Sequence, residues 1–154
     1  MESARSATST DLPELAELAA ALRDELREQR GGALWATREA RPDPHYESLA
    51  GLLSREDAAV FVGTIDGTTV GFGTVEIEAL RDGTRLGVIG DLFVDREARA
   101  VGVGEAIANE IIEFCRLARC VGIDAYALPG AREAKNFFER SGFTARALVM
   151  HHVL

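Results

Sequence analysis

Two Asp-Gly dipeptides, Asp66-Gly67 and Asp82-Gly83, divide one stretch of this chain into three apolar, β-branched runs: Ala58 to Ile65, Thr69 to Leu80 and Arg85 to Val94. Asp-Gly between two such runs is the composition of a two-residue hairpin turn, because its central positions need positive φ, which few residues adopt cheaply. Three consecutive strands joined by two tight turns make an antiparallel meander. In the middle run, Val70 and Phe72 are out of phase with Val75 and Ile77. That shift predicts a bulge near Gly73.

Helical periodicity flanks the meander. Leu12, Leu15, Leu18, Leu22 and Leu26 predict a helix over Asp11 to Glu28, with Asp11 as cap and Glu14 completing a capping box. Glu2 to Thr8 reads as a short strand before it. Gln29 to Pro44 reads as irregular, because Gly31-Gly32 breaks the pattern and Pro42 and Pro44 oppose a regular helix. Tyr46 to Leu53 reads as a second short helix. Beyond the meander, Val103, Ile107, Ile111, Phe114 and Ala118 mark one face of a helix over Gly102 to Ala118. Val121 to Ala127 reads as a strand and Ala131 to Ser141 as a helix closed by Gly142. Phe143 to Leu154 reads as one or two closing strands. The resulting order, β-α-α-β-β-β-α-β-α-β, places the chain among α/β (α+β) folds with a mixed, mostly antiparallel central sheet. At 154 residues it reads as one domain spanning 1–154.

The junction Arg99-Ala100-Val101-Gly102-Val103-Gly104 carries the most chemistry. It joins a strand to a helix N-terminus, where backbone N–H groups lack partners and the helix dipole favours negative charge. Glycines there let a phosphate approach the backbone closely. Arg99 can add a charge-assisted contact.

Composition narrows the partners. Seventeen Lys and Arg against 25 Asp and Glu give a net charge of −8, which opposes nonspecific nucleic-acid binding. The acidity either favours a cationic or amine partner or only aids solubility. No apolar run reaches the roughly 18 residues of a membrane span, and no apolar leader follows Met1, so a cytoplasmic protein without membrane partner is expected. Cys115 and Cys120 do not have the spacing of a metal or disulfide framework and read as reduced thiols. No metal is expected.

These elements, with these residues, resemble the GNAT superfamily of N-acetyltransferases. Arg99, Gly102 and Gly104 match its Arg/Gln-x-x-Gly-x-Gly/Ala signature, and Asp91-Leu92-Phe93-Val94-Asp95 is similar to the strand that leads into it. Ala134-x-x-Phe137-Phe138-Glu139-Arg140-Ser141-Gly142-Phe143 is similar to a second family motif. The resemblance covers Ala58 to Leu154 well and the N-terminal third loosely. It implies acyl transfer from acetyl-CoA to an amine by direct attack in a ternary complex. The implied pyrophosphate site is the turn from Arg99 through Val101, Gly102, Val103, Gly104 and Glu105 to Ala106. The implied pantetheine site is the edge of Leu92, Phe93 and Val94, paired as an added strand. A homodimer is expected by the same analogy.

Two positions depart from the family pattern. Ala131 stands where Asn is usual, and Phe138 stands where a Tyr hydroxyl commonly protonates the leaving thiolate. A thiol with a pKa of about 8.5 leaves tolerably well without an acid. Tyr126 is a substitute acid or a packing residue. Asp91, inside an apolar strand, is either a base or cation anchor, or a strand-end carboxylate held by backbone N–H groups or an Arg. Lys135 reaches a CoA phosphate or is an ordinary solvated helix lysine. His151 and His152 on the last strand are further base candidates. Trp35, His45 and Tyr46 either border the acceptor pocket or, for Trp35, fill the core.

Two other readings compete. Gly102-x-Gly104 after a strand, with Asp124 twenty residues beyond Gly104, fits a dinucleotide-binding module, but Ile107 occupies its third small-residue position and the hairpins oppose a doubly wound sheet. A non-catalytic CoA-binding or sensor domain on the same fold is consistent with Phe138 and Ala131.

Overall fold

The computed structural model describes residues 1–154. Five strands form one sheet in the spatial order β1-β2-β3-β4-β5. They are β1 (Glu2–Ser6), β2 (Ala58–Ile65), β3 (Thr68–Ala79), β4 (Arg85–Val94) and β5 (Gly122–Asp124). The first four pair antiparallel, and β5 joins β4 in parallel. The helices are α1 (Leu12–Arg27), α2 (Gly32–Arg38), α3 (His45–Leu53), α4 (Val103–Leu117) and α5 (Arg132–Arg140). This is the expected mixed, mostly antiparallel sheet with flanking helices. No helix is long and apolar enough to cross a membrane.

The hairpin turns form where the Asp-Gly pairs require them. Asp66 and Gly67 take φ of 47° and 83°, both positive as the turn demands. At the second turn the Asp82 carboxylate accepts the Thr84 N–H at 3.0 Å.

Each sheet face has its own core. On one face Leu12, Leu15, Leu18 and Leu22 of α1 meet Trp35, Leu49 and Leu52 and the strand residues Val60, Val62, Phe72 and Phe93. Each such buried side chain contributes about 1.5–3 kcal/mol. On the other face Val103, Ile107, Ile111 and Cys115 of α4 meet Phe61, Val75, Ile77 and Ile89. Here the sheet offers glycines rather than side chains. A Cβ on Gly63 would lie 2.5 Å from Val103 Cγ1, and one on Gly73 2.5 Å from Ile107 Cγ2. The missing side chains let α4 lie close against the strands. Burial pushes the Cys115 thiol up to about 12, with Cys120 adding to the shift, so Cys115 is an inert core thiol.

Several sequence expectations are corrected. Asp11 is not the cap of α1. It lies in a 3-10 turn, Ser9–Asp11, and its carboxylate accepts the Thr8 N–H at 2.8 Å and a bidentate pair from Arg5. The segment read as irregular contains α2, because Gly31 at φ 82° restarts the chain after α1 and both prolines lie beyond the helix. The bulge is not near Gly73. Thr74 opposes Asp91 while Val75 opposes Ile89, so Gly90 of β4 is the extra residue. Phe72 and Val75 differ in phase only because β3 is buried on both faces. A separate register shift between Gly63 and Thr64 leaves Val70 as the extra residue of β3. Finally, β5 is three residues long, and Phe143 to Leu154 forms no strand. The short β5 offers no ladder for that segment to join.

Candidate functional site

β4 ends at Val94, and a 3-10 turn over Arg96–Ala98 leads to the start of α4. Gly102 is the N-cap at φ 96°, and Ala100 is also left-handed at φ 67°. No side chain caps this helix. The Ala106 N–H reaches the Gly102 carbonyl at 3.0 Å, but the N–H groups of Val101, Gly102, Val103, Gly104 and Glu105 meet no acceptor within the chain. Five donors at the positive end of a helix dipole are an anion-binding arrangement. A Cβ on Gly102 would be strained by its φ and would meet Glu2 Cγ at 3.2 Å.

The same end of β4 is open at its outer edge. β5 pairs only with Leu86, Gly87 and Val88, so Ile89 to Val94 has no neighbouring strand on that side. An extended ligand with amide groups can pair there as an added strand. Leu92 and Val94 pack against the α4-side core, whereas Phe93 is buried under α1.

Arg99 fastens the turn. Its Nε donates to the Val94 carbonyl at 2.8 Å, and its Nη2 donates to both oxygens of Glu25 at 3.0 and 2.9 Å. Its guanidinium lies 5.3 Å from the Phe93 ring centroid. Glu25, on α1, is therefore a site residue the sequence reading missed. The anion donors left free here are main-chain amides.

Asp91 is buried at 4% exposure and engaged. Its Oδ2 accepts Arg41 Nε at 2.8 Å, Arg41 Nη2 at 2.5 Å and the Thr74 hydroxyl at 2.7 Å. Arg41 Nη1 donates to Ser48 Oγ at 2.8 Å. This clasp ties the α2–α3 connection to β3 and β4. The carboxylate held by an Arg is the structural alternative weighed above, and a base role requires Asp91 to leave this pair. Arg41, Ser48 and Thr74 were not read from the sequence. The signal was partial: a buried Asp needs a cation, but 17 Lys and Arg were candidates.

Other predicted residues disperse. Tyr126 lies two residues beyond β5 and is 64% exposed. Lys135 Nζ pairs with Glu139 at 2.7 Å on the α5 surface, as a solvated helix lysine does. Phe138 packs against Phe137 and Phe143, with centroids at 5.5 and 5.2 Å. Val101 and Glu105 are exposed, and Phe137 of α5 approaches Gly104. Trp35 fills the α1-side core, His45 is buried beside Arg23 and Asp43, and Tyr46 is exposed. His151 and His152 lie exposed in the C-terminal segment, away from any strand.

Two recesses mark the surface. A depression of about 790 Å³ lies at the start of β4 and end of α4, between Arg85, Ile77, Phe114 and Leu117. It is at the opposite end of both elements from the free amides. A smaller recess, about 230 Å³, lies between α1 and the end of β4 and is lined by Glu14, Glu17, Leu18, Ala21, Thr69 and Asp95.

The comparisons with known proteins agree with this geometry. The model of the acetyltransferase (GNAT) family matches residues 17–143. The chain belongs to that family. Among solved structures, glucosamine-6-phosphate N-acetyltransferase from Arabidopsis thaliana is 20% identical, with a TM-score of 0.73 over 99% of this chain and 98% of that one. A tetramutant of the BH1408 protein from Bacillus halodurans is 21% identical, with a TM-score of 0.82 over 98% and 99%. AAC(6')-Iy, in complex with a bisubstrate analogue of CoA and acetylneamine, is 18% identical, with a TM-score of 0.77 over 100% and 98%. At these identities the likeness is one of fold.

Proposed function

We propose that this chain is an N-acyltransferase that moves an acetyl group from acetyl-CoA to an amine, by direct attack in a ternary complex. One observation carries the reading: five unpartnered main-chain N–H groups, Val101 to Glu105, open at the same end of β4 as the unpaired edge Ile89 to Val94. Together they fit a pyrophosphate followed by an amide-bearing arm. Acetyl-CoA would supply the acyl group already activated as a thioester. The turn residues would hold its diphosphate through their amides, and Leu92 to Val94 would align the arm.

The chain's own contribution to the chemistry is then chiefly placement. Holding both reactants in line can remove about 7–11 kcal/mol of barrier without a strong acid or base. A thiol of pKa about 8.5 is a fair leaving group, which suits a site with Phe138 in place of a hydroxyl. Asp91 holds Arg41 and through it the α2–α3 connection, so it acts by positioning. Tyr126, exposed beyond β5, is the candidate proton donor. The recess with Glu14, Glu17 and Asp95 supports a cationic acceptor, since it gathers three carboxylates without ion-pair partners.

Calorimetric titration with CoA, followed by thiol-release assays over cationic and neutral amines, tests the reading. CoA binding with turnover on an amine is expected. Tight NAD binding without CoA binding would overturn it. The engaged Asp91 and apolar Phe138 favour one rival, a CoA-binding domain without catalysis, and CoA binding with no turnover on any amine would select it.

A further inference from the structure

The end of the chain is built differently from the rest. Leu148, Val149, Met150, Val153 and Leu154 are 78–114% exposed, within seven residues. No backbone group from Thr144 to Leu154 hydrogen-bonds elsewhere in the chain; the last such bond is Phe143 N–H to the Phe138 carbonyl at 2.9 Å. Yet the composition is that of a strand. Leu148, Met150 and Leu154 would share one face, and Ala147, Val149 and Val153 the other, so the segment is apolar on both sides. Such a strand belongs inside a sheet.

The chain itself provides no place for it. Arg146 pairs with Asp124 through both carboxylate oxygens and fixes the root of the segment at the outer edge of the sheet. Paired antiparallel from that point, β5 would occupy only three residues, Arg146 to Leu148. In the opposite direction there is no strand beyond Asp124. Most of the segment is left over either way. A long, unpaired apolar strand at a sheet edge is a template for another chain.

We infer that Ala147 to Leu154 pairs antiparallel with the same segment of a second copy. A copy of itself is the partner that matches it in length, about 26 Å for eight residues, and in being apolar on both faces. A two-fold axis lets the contact close, because each tail gives and receives the same surface. The roots at Asp124 and Arg146 place each tail beside its own β5, so one sheet would run through both copies. Five large apolar side chains from each copy cover several hundred Å² per partner, on the scale of the roughly 800 Å² a stable interface needs. The inference stands apart from the proposed activity, because nothing in it uses the ligand.

Sedimentation velocity of the full chain across micromolar concentrations reads the outcome, with hydrogen exchange resolved by residue. A two-chain mass and protected amides from Ala147 to Leu154 are expected. A chain ending at Arg146 should run as one-chain mass with an unchanged far-ultraviolet spectrum. The full-length Leu148→Asp, Met150→Asp variant should do the same, which covers the case where truncation impairs folding. A one-chain mass for the full chain overturns the inference, whether its tail amides are protected or not. A two-chain mass that survives both variants overturns it as well.

Discussion

Asp91 and the glycine turn sit a few residues apart, and their polar groups meet opposite fates. Asp91 is dry, and Arg41 and Thr74 take up its Oδ2. The amides of Val101 to Glu105 have no protein acceptor and stand at the surface. A satisfied buried charge pair holds elements together, and breaking it leaves the surviving charge stranded. An unsatisfied donor set contributes little to the fold and remains available to a ligand. Neighbouring residues of one strand and turn therefore divide into a structural anchor and a binding surface.

The comparison breaks most readily at the anchor. Asp91→Ala strands the Arg41 guanidinium and should lower unfolding free energy by about 3–5 kcal/mol in urea denaturation. Asp91→Asn keeps a hydrogen-bonding group and should retain CoA binding. A stable Asp91→Asn protein with turnover lost would return Asp91 to the chemistry. Gly102→Val tests the other side. With φ at 96° and Glu2 against the new side chain, the turn must reshape. CoA affinity should fall at least tenfold in calorimetry, whereas unfolding free energy should change by only about 1–2 kcal/mol.

A third test separates the clasp from an exposed ion pair. The Arg5 guanidinium, with the Thr8 groups, holds the Asp11 carboxyl at about 2, below its ordinary 3.8. Because the folded value is the lower one, the pair stabilises above pH 4 and is lost as pH falls toward 2. Asp11→Asn should flatten that part of the acid-unfolding profile and leave the melting temperature at pH 7 within a few degrees. The smallest effect is expected at Lys135. It is paired with Glu139 on the α5 surface, so Lys135→Ala should leave CoA affinity within about twofold in the same titration.

What the sequence made legible follows from how local the cause is. β2 and β4 begin and end where the apolar runs do, because Asp66-Gly67 and Asp82-Gly83 set their turns from adjacent residues. The glycine turn was equally readable, since Gly102 and its helix are contiguous. The Arg41–Asp91 pair spans fifty positions, and no local pattern selects Arg41 among the other cations. The Gly90 bulge was displaced to Gly73 because a strand buried on both faces looks like a strand with a phase shift. The closing strands failed for another reason: strand propensity at Leu148 to Leu154 is real, but a strand also needs a neighbour.

The bulge at Gly90 has a consequence for how this chain can vary. Ile89 faces α4, and Asp91, one extra residue later, faces the α1 side. Deleting that single residue would turn over everything downstream in β4: the carboxylate would be driven under α4, Phe93 would lose its seat beneath α1, and Leu92 and Val94 would take its place. Length changes at Gly67 or Gly83, where a Cβ would meet nothing within 4 Å, disturb only a hairpin tip. Among descendants of this sequence, the reading frame of β4 is thus guarded by one glycine whose only contribution is to be counted.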